Sequence, residues 1–491
     1  MKIPSIFRRI NQSSFIKKLL YGSLWMTLGT LVSRGLLMLA SIILARILTV
    51  SEYGEFGMIK STIDNFLIFA SLGIGLTTTK YVSERKDHDK AGTSSILGAS
   101  ISLVLLLSTV VSILIALFSG FIVENILNNE SLQLPLIMGS FTLMFVALNG
   151  TQMGALLGFQ AYRKNSFSNI LQGIFLFSGL TIGGYFGGVT GAFLGNLIAI
   201  FLVSVVLQKL LRDEGKLHNV SINLHNWRDN VKTIYKFAIP ASLSTIIVAP
   251  TIWFLNTLLV NQPNGYKQLG LYSAVIIFST AIQMFNGSIS NVLLPIFLSK
   301  SEEKTPKKEF FNYFGGWIIS ILLAFPILSF PEIVAAILGD KYVDTEIVPI
   351  LGMSVISTLV IANRGGVSRD LIIKNKMWLS VFSMGQWALT NLVVFYFLKS
   401  YGAWGFALSY MISYLINYVL FVPFFISKNI VPKIVFYSKW NFAIWILLFS
   451  LAFVCTYYYE AIIIRLFSVI AIFGLLSYSI FKYYKECLIK L

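Results

Sequence analysis

Lysine and arginine are confined almost entirely to every second gap between long apolar stretches, and no other feature restricts the fold of this 491-residue chain so tightly. Fourteen such stretches are read at 20–45, 54–80, 92–122, 132–159, 165–186, 189–211, 233–260, 269–299, 310–338, 345–373, 377–398, 402–427, 440–459 and 461–482. Each is about 20 residues or longer, enough to cross a hydrocarbon layer roughly 30 Å thick as an α-helix. Of the 38 cations, 30 lie before the first stretch, after the last one or in alternate gaps, among them Lys17, Arg85, Arg163, Lys209, Lys300, Lys374, Lys433 and Lys485. The other gaps hold only Arg46, Lys267, Lys341, Lys399 and Arg465. By the positive-inside rule the basic gaps and both termini are cytoplasmic. The expected fold class is therefore an all-α polytopic membrane protein.

Composition agrees with this reading. The chain is 56% hydrophobic and 12% charged, with a mean hydropathy of +0.77, which excludes an ordinary soluble enzyme. A net charge of +17 could point to nucleic acid, but the cations are spread over the loops that the membrane rule already explains, so no nucleic-acid partner is expected. Cys455 falls in a late helix and Cys487 in the tail, so neither a disulfide nor a metal cluster is indicated, and no cofactor is expected. The first apolar stretch is too long for a cleavable signal and lacks a small-residue cleavage site. The segment before it, 1–19, mixes Ile and Phe with cations and suits the membrane surface.

The helices fall into two copies of six. Pro135 and Pro349 are 214 residues apart, and the same offset pairs Asn149 with Asn363, Gln172 with Gln386, Gly188 with Gly402 and Gly191 with Gly405. EYGEF at 52–56 resembles QLGLY at 268–272, shifted by 216. Six helices separate equivalent elements, an even number, so the copies share one orientation and form a parallel repeat. The division expected is a cytoplasmic interfacial segment at 1–19, an N-terminal lobe at 20–211, a polar cytoplasmic linker at 212–232, a C-terminal lobe at 233–427, and two extra helices with a tail at 428–491. A substrate path is expected between the lobes.

Three cations remain, Arg34, Lys60 and Arg364; all sit inside predicted helices and all three are candidate substrate-binding residues. A charge there costs a few kcal/mol unless it meets water or a partner. Arg34 shares a helical stripe with Ser23, Thr27, Thr30 and Ser41, and Arg364 lies on one with Ser354, Ser357 and Ser368. Lys60 stands one turn before Asp64, the one carboxylate near the middle of a predicted span, and can neutralise it. Asp64 is also the best-placed coupling group if an ion gradient drives movement. Asn149, Gln152, Gln283 and Asn291 are the candidate neutral contacts, with Asn256, Thr280 and Gly287 nearby in the pattern. Stripes of Ser, Thr and Gly are as readily explained by close helix packing. A mid-helix guanidinium is not. Net interior cation points to an anionic substrate, and the planar fork of Arg suits pyrophosphate oxygens. A polar corridor flanked by apolar surface suits a hydrophilic head on a lipid tail.

The runs LARILTVSEYGEFG (44–57), FASLGIGLTTTKYVSE (69–84), KFAIPASLS (236–244), NVLLPIFLS (291–299) and PEIVAAILGDKYVD (331–344) resemble bacterial polysaccharide flippases. These are Wzx-type O-antigen and exopolysaccharide exporters of the multidrug/oligosaccharidyl-lipid/polysaccharide superfamily. The resemblance covers nearly the whole chain in order. It implies a two-lobe MATE-like or MurJ-like transporter of the bacterial inner membrane. Such a protein would move an undecaprenyl-pyrophosphate-linked oligosaccharide to the outer leaflet by alternating access, with Arg34 and Arg364 binding the pyrophosphate from opposite lobes. Membrane lipid, a polysaccharide polymerase and a chain-length regulator are the partners it implies. Relatives that flip peptidoglycan precursor place cations on helices 1, 2 and 8; here helix 8 has none and Arg364 stands on helix 10. Many members also carry an acid where this chain has Ser71.

Two other classes compete. A multidrug or metabolite antiporter would share the two-lobe design but calls for carboxylates in its cavity, against one mid-membrane Asp and three cations here. A membrane polymerase or glycosyltransferase needs acids or bases at a water-accessible face. The outer acids (Glu52, Glu55, Glu124, Glu130, Asp340, Asp344 and Glu346) form no paired motif.

Overall fold

The structure is a computed structural model that describes residues 14–221, 230–298, 306–343, 346–374, 376–458 and 460–490. Residues 1–13 of the interfacial segment and 222–229 of the 212–232 linker lie outside the described residues. What is described is helical: α1 (Ser14–Ile47), α2 (Val50–Ser71), α3 (Ile74–Arg85), α4 (Lys90–Leu117), α5 (Gln133–Gly158), α6 (Tyr162–Leu217), α7 (Val231–Val260), α8 (Gly265–Leu298), α9 (Gly316–Ser329), α10 (Pro331–Leu338), α11 (Ile347–Asn363), α12 (Gly365–Ile373), α13 (Met377–Leu398), α14 (Gly402–Ser427), α15 (Lys439–Tyr457) and α16 (Ile462–Lys490). Eleven spans among the described residues are long and apolar enough to cross a membrane. Two of them, Tyr162–Leu217 and Met377–Ser427, are interrupted midway and account for two crossings each. With α7 added, whose 246–260 portion is apolar, the expected fourteen crossings are reached.

Both interruptions depend on a glycine. Gly188 has φ 57° and ψ −140°, and Gly402 has φ 56° and ψ −134°. A side chain is strained in this region, so glycine is the residue that turns the chain there without cost. These two positions are the pair related by the 214-residue offset, so the repeat extends to backbone angles. Pro135 and Pro349 likewise both fall in the first turn of a helix, α5 and α11, where a missing N–H leaves no bond unmade.

By its contacts the chain forms two compact units. Unit 1 comprises Met1–Ile47 and Ile59–Ala249, and unit 2 comprises Leu48–Met58 and Pro250–Leu491. The boundary thus falls within α7 and not in the linker, and the first half of α2 belongs with unit 2.

In unit 1, α4, α5 and α6 meet around Ile96, Leu97, Leu156, Phe159, Val203 and Leu207. Helix α1 lies on α6 through small residues. A Cβ at Gly173 would stand 2.6 Å from the Ser33 Cα, and one at Gly29 would stand 2.9 Å from the Ser166 Cα. Lipid is as apolar as leucine, so helices in a bilayer are held by such close approach and by interhelical hydrogen bonds.

Unit 2 is richer in large aromatic contacts. Trp317 packs on Trp445 at 5.4 Å between ring centroids, and Phe314 on Tyr483 at 4.7 Å, which ties α15 and α16 to the α9 region. At the opposite end of α16, Arg465 pairs with Glu332 of α10 and lies over the Phe330 ring. The two helices outside the repeat are therefore built into this unit. Gly54 and Gly270, equivalent positions of the repeat, sit at one helix crossing, where a Cβ on Gly270 would meet the Val50 carbonyl oxygen at 1.9 Å.

Candidate functional site

Arg34 occupies a third face of α1. One face packs on α6, and a second presents Leu24, Leu28, Val32 and Leu39 outward as an apolar surface. By helical register Thr27, Thr30, Arg34 and Ser41 run between these two. The Arg34 side chain is exposed, and no hydrogen bond or ion pair joins it to another described residue. A guanidinium on a polar stripe, turned away from the apolar face, is oriented for a hydrated surface.

Lys60 and Asp64 form the pair that their spacing predicts. Lys60 Nζ lies 2.5 Å from Asp64 Oδ2, and the side chains are 58% and 53% exposed. The one mid-membrane carboxylate of the sequence reading is thus neutralised one turn away on the surface of unit 1.

Asn149 and Gln152 have a different place from the one expected. Asn149 is 4% exposed and Gln152 1%. Ser204 Oγ donates to Asn149 Oδ1 at 2.6 Å, Asn149 Nδ2 donates to the Ile200 carbonyl at 3.3 Å, and Gln152 Nε2 donates to Gln208 Oε1 at 2.8 Å. Both amides are used to join α5 to α6, so helix pairing replaces the sugar contact expected of them. Gln283 on α8 is half-buried, and the Asn291 side chain lies outside the described residues.

In unit 2 the helical run breaks at Arg364, between α11 and α12. Its side chain is 7% exposed. One guanidinium nitrogen, Nη2, donates to Ser383 Oγ at 2.9 Å; Ser383 Oγ donates to Asn417 Oδ1 at 3.1 Å; and Asn417 Nδ2 donates to Gln386 Oε1 at 2.6 Å. Tyr414 and Tyr418 stand within electrostatic range. Among the described residues no carboxylate pairs with Arg364, and its Nε is buried without an acceptor. Arg34 is thus exposed on unit 1. Arg364 is enclosed within its own unit yet carries an uncompensated charge.

Two clusters went unread in the sequence. Arg369, counted as a loop cation, is 4% exposed inside α12, where Nε donates to Asn312 Oδ1 at 2.7 Å and a second nitrogen donates to the Asn312 carbonyl. The neighbouring Asp370 accepts from Tyr313 Oη at 2.5 Å. Arg369 follows the break at Arg364 by five residues and so belongs to α12 and not to the loop beyond it. Glu332 of α10 and Arg465 of α16 are the second such case. Among the described residues no group of His, Cys, Asp and Glu could hold a metal, and Cys455 and Cys487 are free thiols.

The sequence profile of a family described as "Polysaccharide biosynthesis protein" matches residues 19–301, more than half of the chain. The chain belongs to this polysaccharide biosynthesis family. Among family-type relatives, the "Lipid III flippase" of Escherichia coli (strain K12) is 25% identical over 289 residues, which span 57% of this chain and 67% of that protein. The "EPS I polysaccharide export inner membrane protein EpsE" of Ralstonia solanacearum is 25% identical over 296 residues, spanning 59% of this chain and 66% of that one. A structure of "Lipid II flippase MurJ, inward closed conformation" superposes with a TM-score of 0.69 at 14% identity, covering 94% of this chain and 99% of that one. At that identity the likeness establishes the fold. The chain is thus a multi-pass membrane protein with the fold of that solved structure.

Proposed function

We propose that the protein flips a polyprenyl (undecaprenyl) pyrophosphate-linked oligosaccharide from the cytoplasmic to the outer leaflet of the bacterial inner membrane by alternating access, in surface polysaccharide synthesis. One observation carries this reading beyond the family: Arg34 and Arg364 lie within the apolar spans, and neither has a carboxylate partner among the described residues. Placing an arginine at mid-membrane costs about 3 kcal/mol even on the mildest scale, so unmatched charge of one sign calls for a ligand of the other. Pyrophosphate is a polyanion that the guanidinium fork can grip through two oxygens. The flippase and export names of the two relatives support the same substrate class.

In this reading Arg34, exposed on a polar stripe, makes the first contact with the diphosphate. Arg364 supplies positive potential from within its unit and reaches the anion when Ser383 and Asn417 rearrange. Gln283 and Asn291 are proposed to contact sugar, and Asp64, ion-paired with Lys60, is the proposed coupling group for a proton or sodium gradient. Reconstitution in vesicles with a fluorescent lipid-linked oligosaccharide, read by leaflet accessibility, tests this directly. Wild-type protein should move the label and Arg34→Ala should not; equal movement by both would remove the anion site.

A further inference from the structure

Unit 1 carries a recess that the flippase reading does not use. It holds about 510 Å³, at the end of the unit that the loop charges assign to the cytoplasm. Trp25 of α1, Tyr162, Arg163 and Phe167 from the opening turns of α6, and Glu214 near the end of α6 line it. The wall is mainly apolar, and Phe167 is half exposed along it. Glu214 brings no net negative charge, because Lys164 Nζ lies 2.6 Å and His218 Nε2 3.5 Å from its carboxylate. The Arg163 guanidinium sits 5.5 Å over the Trp25 ring, and none of the ion pairs among the described residues uses it. Trp and Tyr beside a cation are the side chains that settle where hydrocarbon gives way to headgroups.

We propose that this recess binds an anionic glycerophospholipid of the surrounding bilayer, with its phosphate on Arg163 and an acyl chain along Trp25 and Phe167. Both halves of the site are needed for that choice. A soluble phosphate gains nothing from the apolar wall, and an apolar peptide gains nothing from an unpaired guanidinium. The leading segment of the chain carries Lys2, Arg8 and Arg9, the wrong sign for a cationic rim. A basic pocket between transmembrane helices on the cytoplasmic side matches the charge and the amphipathic shape of an acidic lipid. The lipid would brace α1 against α6 at the base of unit 1.

The test uses the full-length protein equilibrated with vesicles of phosphatidylcholine alone or mixed with phosphatidylglycerol, extracted into detergent, and weighed by native mass spectrometry. Wild type should retain phosphatidylglycerol about tenfold better than Arg163→Gln, the loss expected for one charge-assisted contact. Trp25→Leu should weaken retention as well, and Arg46→Gln, at the opposite end of α1, should match wild type. Arg163 is exposed, so its replacement leaves the packing intact, and equal melting temperatures in phosphatidylcholine establish that. Equal phosphatidylglycerol retention by wild type and Arg163→Gln overturns the proposal. Equal retention of phosphatidylcholine by wild type also overturns it, because the site would not select charge. Displacement of the phosphatidylglycerol by polyprenyl pyrophosphate does so too, because the recess would then belong to the transport substrate.

Discussion

Asn149 and Asn363 occupy the same position in the two copies of the repeat, yet their surroundings differ. Asn149 lies inside an unbroken α5 and is bonded to Ser204 and to a carbonyl of α6. Asn363 is the last residue of α11, buried with neither amide atom bonded, and is followed by the break at Arg364. Unit 1 uses Asn149 and Gln152 to fasten helices and carries its two mid-span cations, Arg34 and the Lys60 of the Lys60–Asp64 pair, exposed. Unit 2 places Arg364 inside, on a chain of Ser383, Asn417 and Gln386. The comparison teaches that a repeat can preserve register and backbone while its two copies divide anchoring from electrostatic work.

The sharpest way to break this contrast is to remove the charges. Arg34→Ala and Arg364→Met should each reduce export of surface polysaccharide to background at normal protein levels. Their stabilities should diverge. Arg34→Ala leaves the melting temperature unchanged, whereas Arg364→Met leaves it level or higher, because an apolar side chain replaces an uncompensated buried charge. A drop in melting temperature for Arg364→Met would mean that its polar chain is structural glue. Arg364→Lys should restore export only in part, since a point charge lacks the fork.

Next in size are the turns. Gly402→Ala should cost about 1–3 kcal/mol, since it combines a positive φ with a Cβ that would meet Gln268 Oε1 at 2.5 Å. Gly188→Ala should fall at the lower end of that range, and denaturant melts of both would measure the difference. Asn149→Ala should cost about 1–2 kcal/mol through its two lost bonds. Transport per folded molecule should be unchanged; a selective rise in the oligosaccharide concentration needed for half-maximal flipping would return Asn149 to the sugar site. Smallest in stability is Asp64→Asn, below about 1 kcal/mol for an exposed pair. Its flipping should lose any dependence on an imposed proton gradient.

How much of this was legible beforehand follows from the range of the forces involved. Helix count and repeat depend on length, hydropathy and local turn chemistry, and all of these are written contiguously; hence Gly188 and Gly402 could be paired from spacing alone. The Lys60–Asp64 bond, one turn long, was legible for the same reason. The Arg465–Glu332 pair spans 133 residues, and nothing local connects its partners. Arg364 and Arg34 look alike as mid-helix arginines, but their exposure is decided by which helices pack over them. Asn149 and Gln152 were read as sugar contacts because the same amide that binds a hydroxyl also binds a neighbouring helix, and only packing distinguishes the two.

The glycine turns at 188 and 402 have a consequence for biogenesis. Each joins two apolar spans with almost no polar chain between them, and around Gly188 the chain from Gly184 to Gly191 carries no charge at all. The first arm of such a hairpin has no hydrated loop to hold it across the bilayer while the ribosome makes the second. Both arms must therefore partition into lipid together, as one folded insertion unit. Lengthening either turn with charged residues would let the arms enter separately, and crosslinking of nascent chains would then catch the first arm in the bilayer before the second is made.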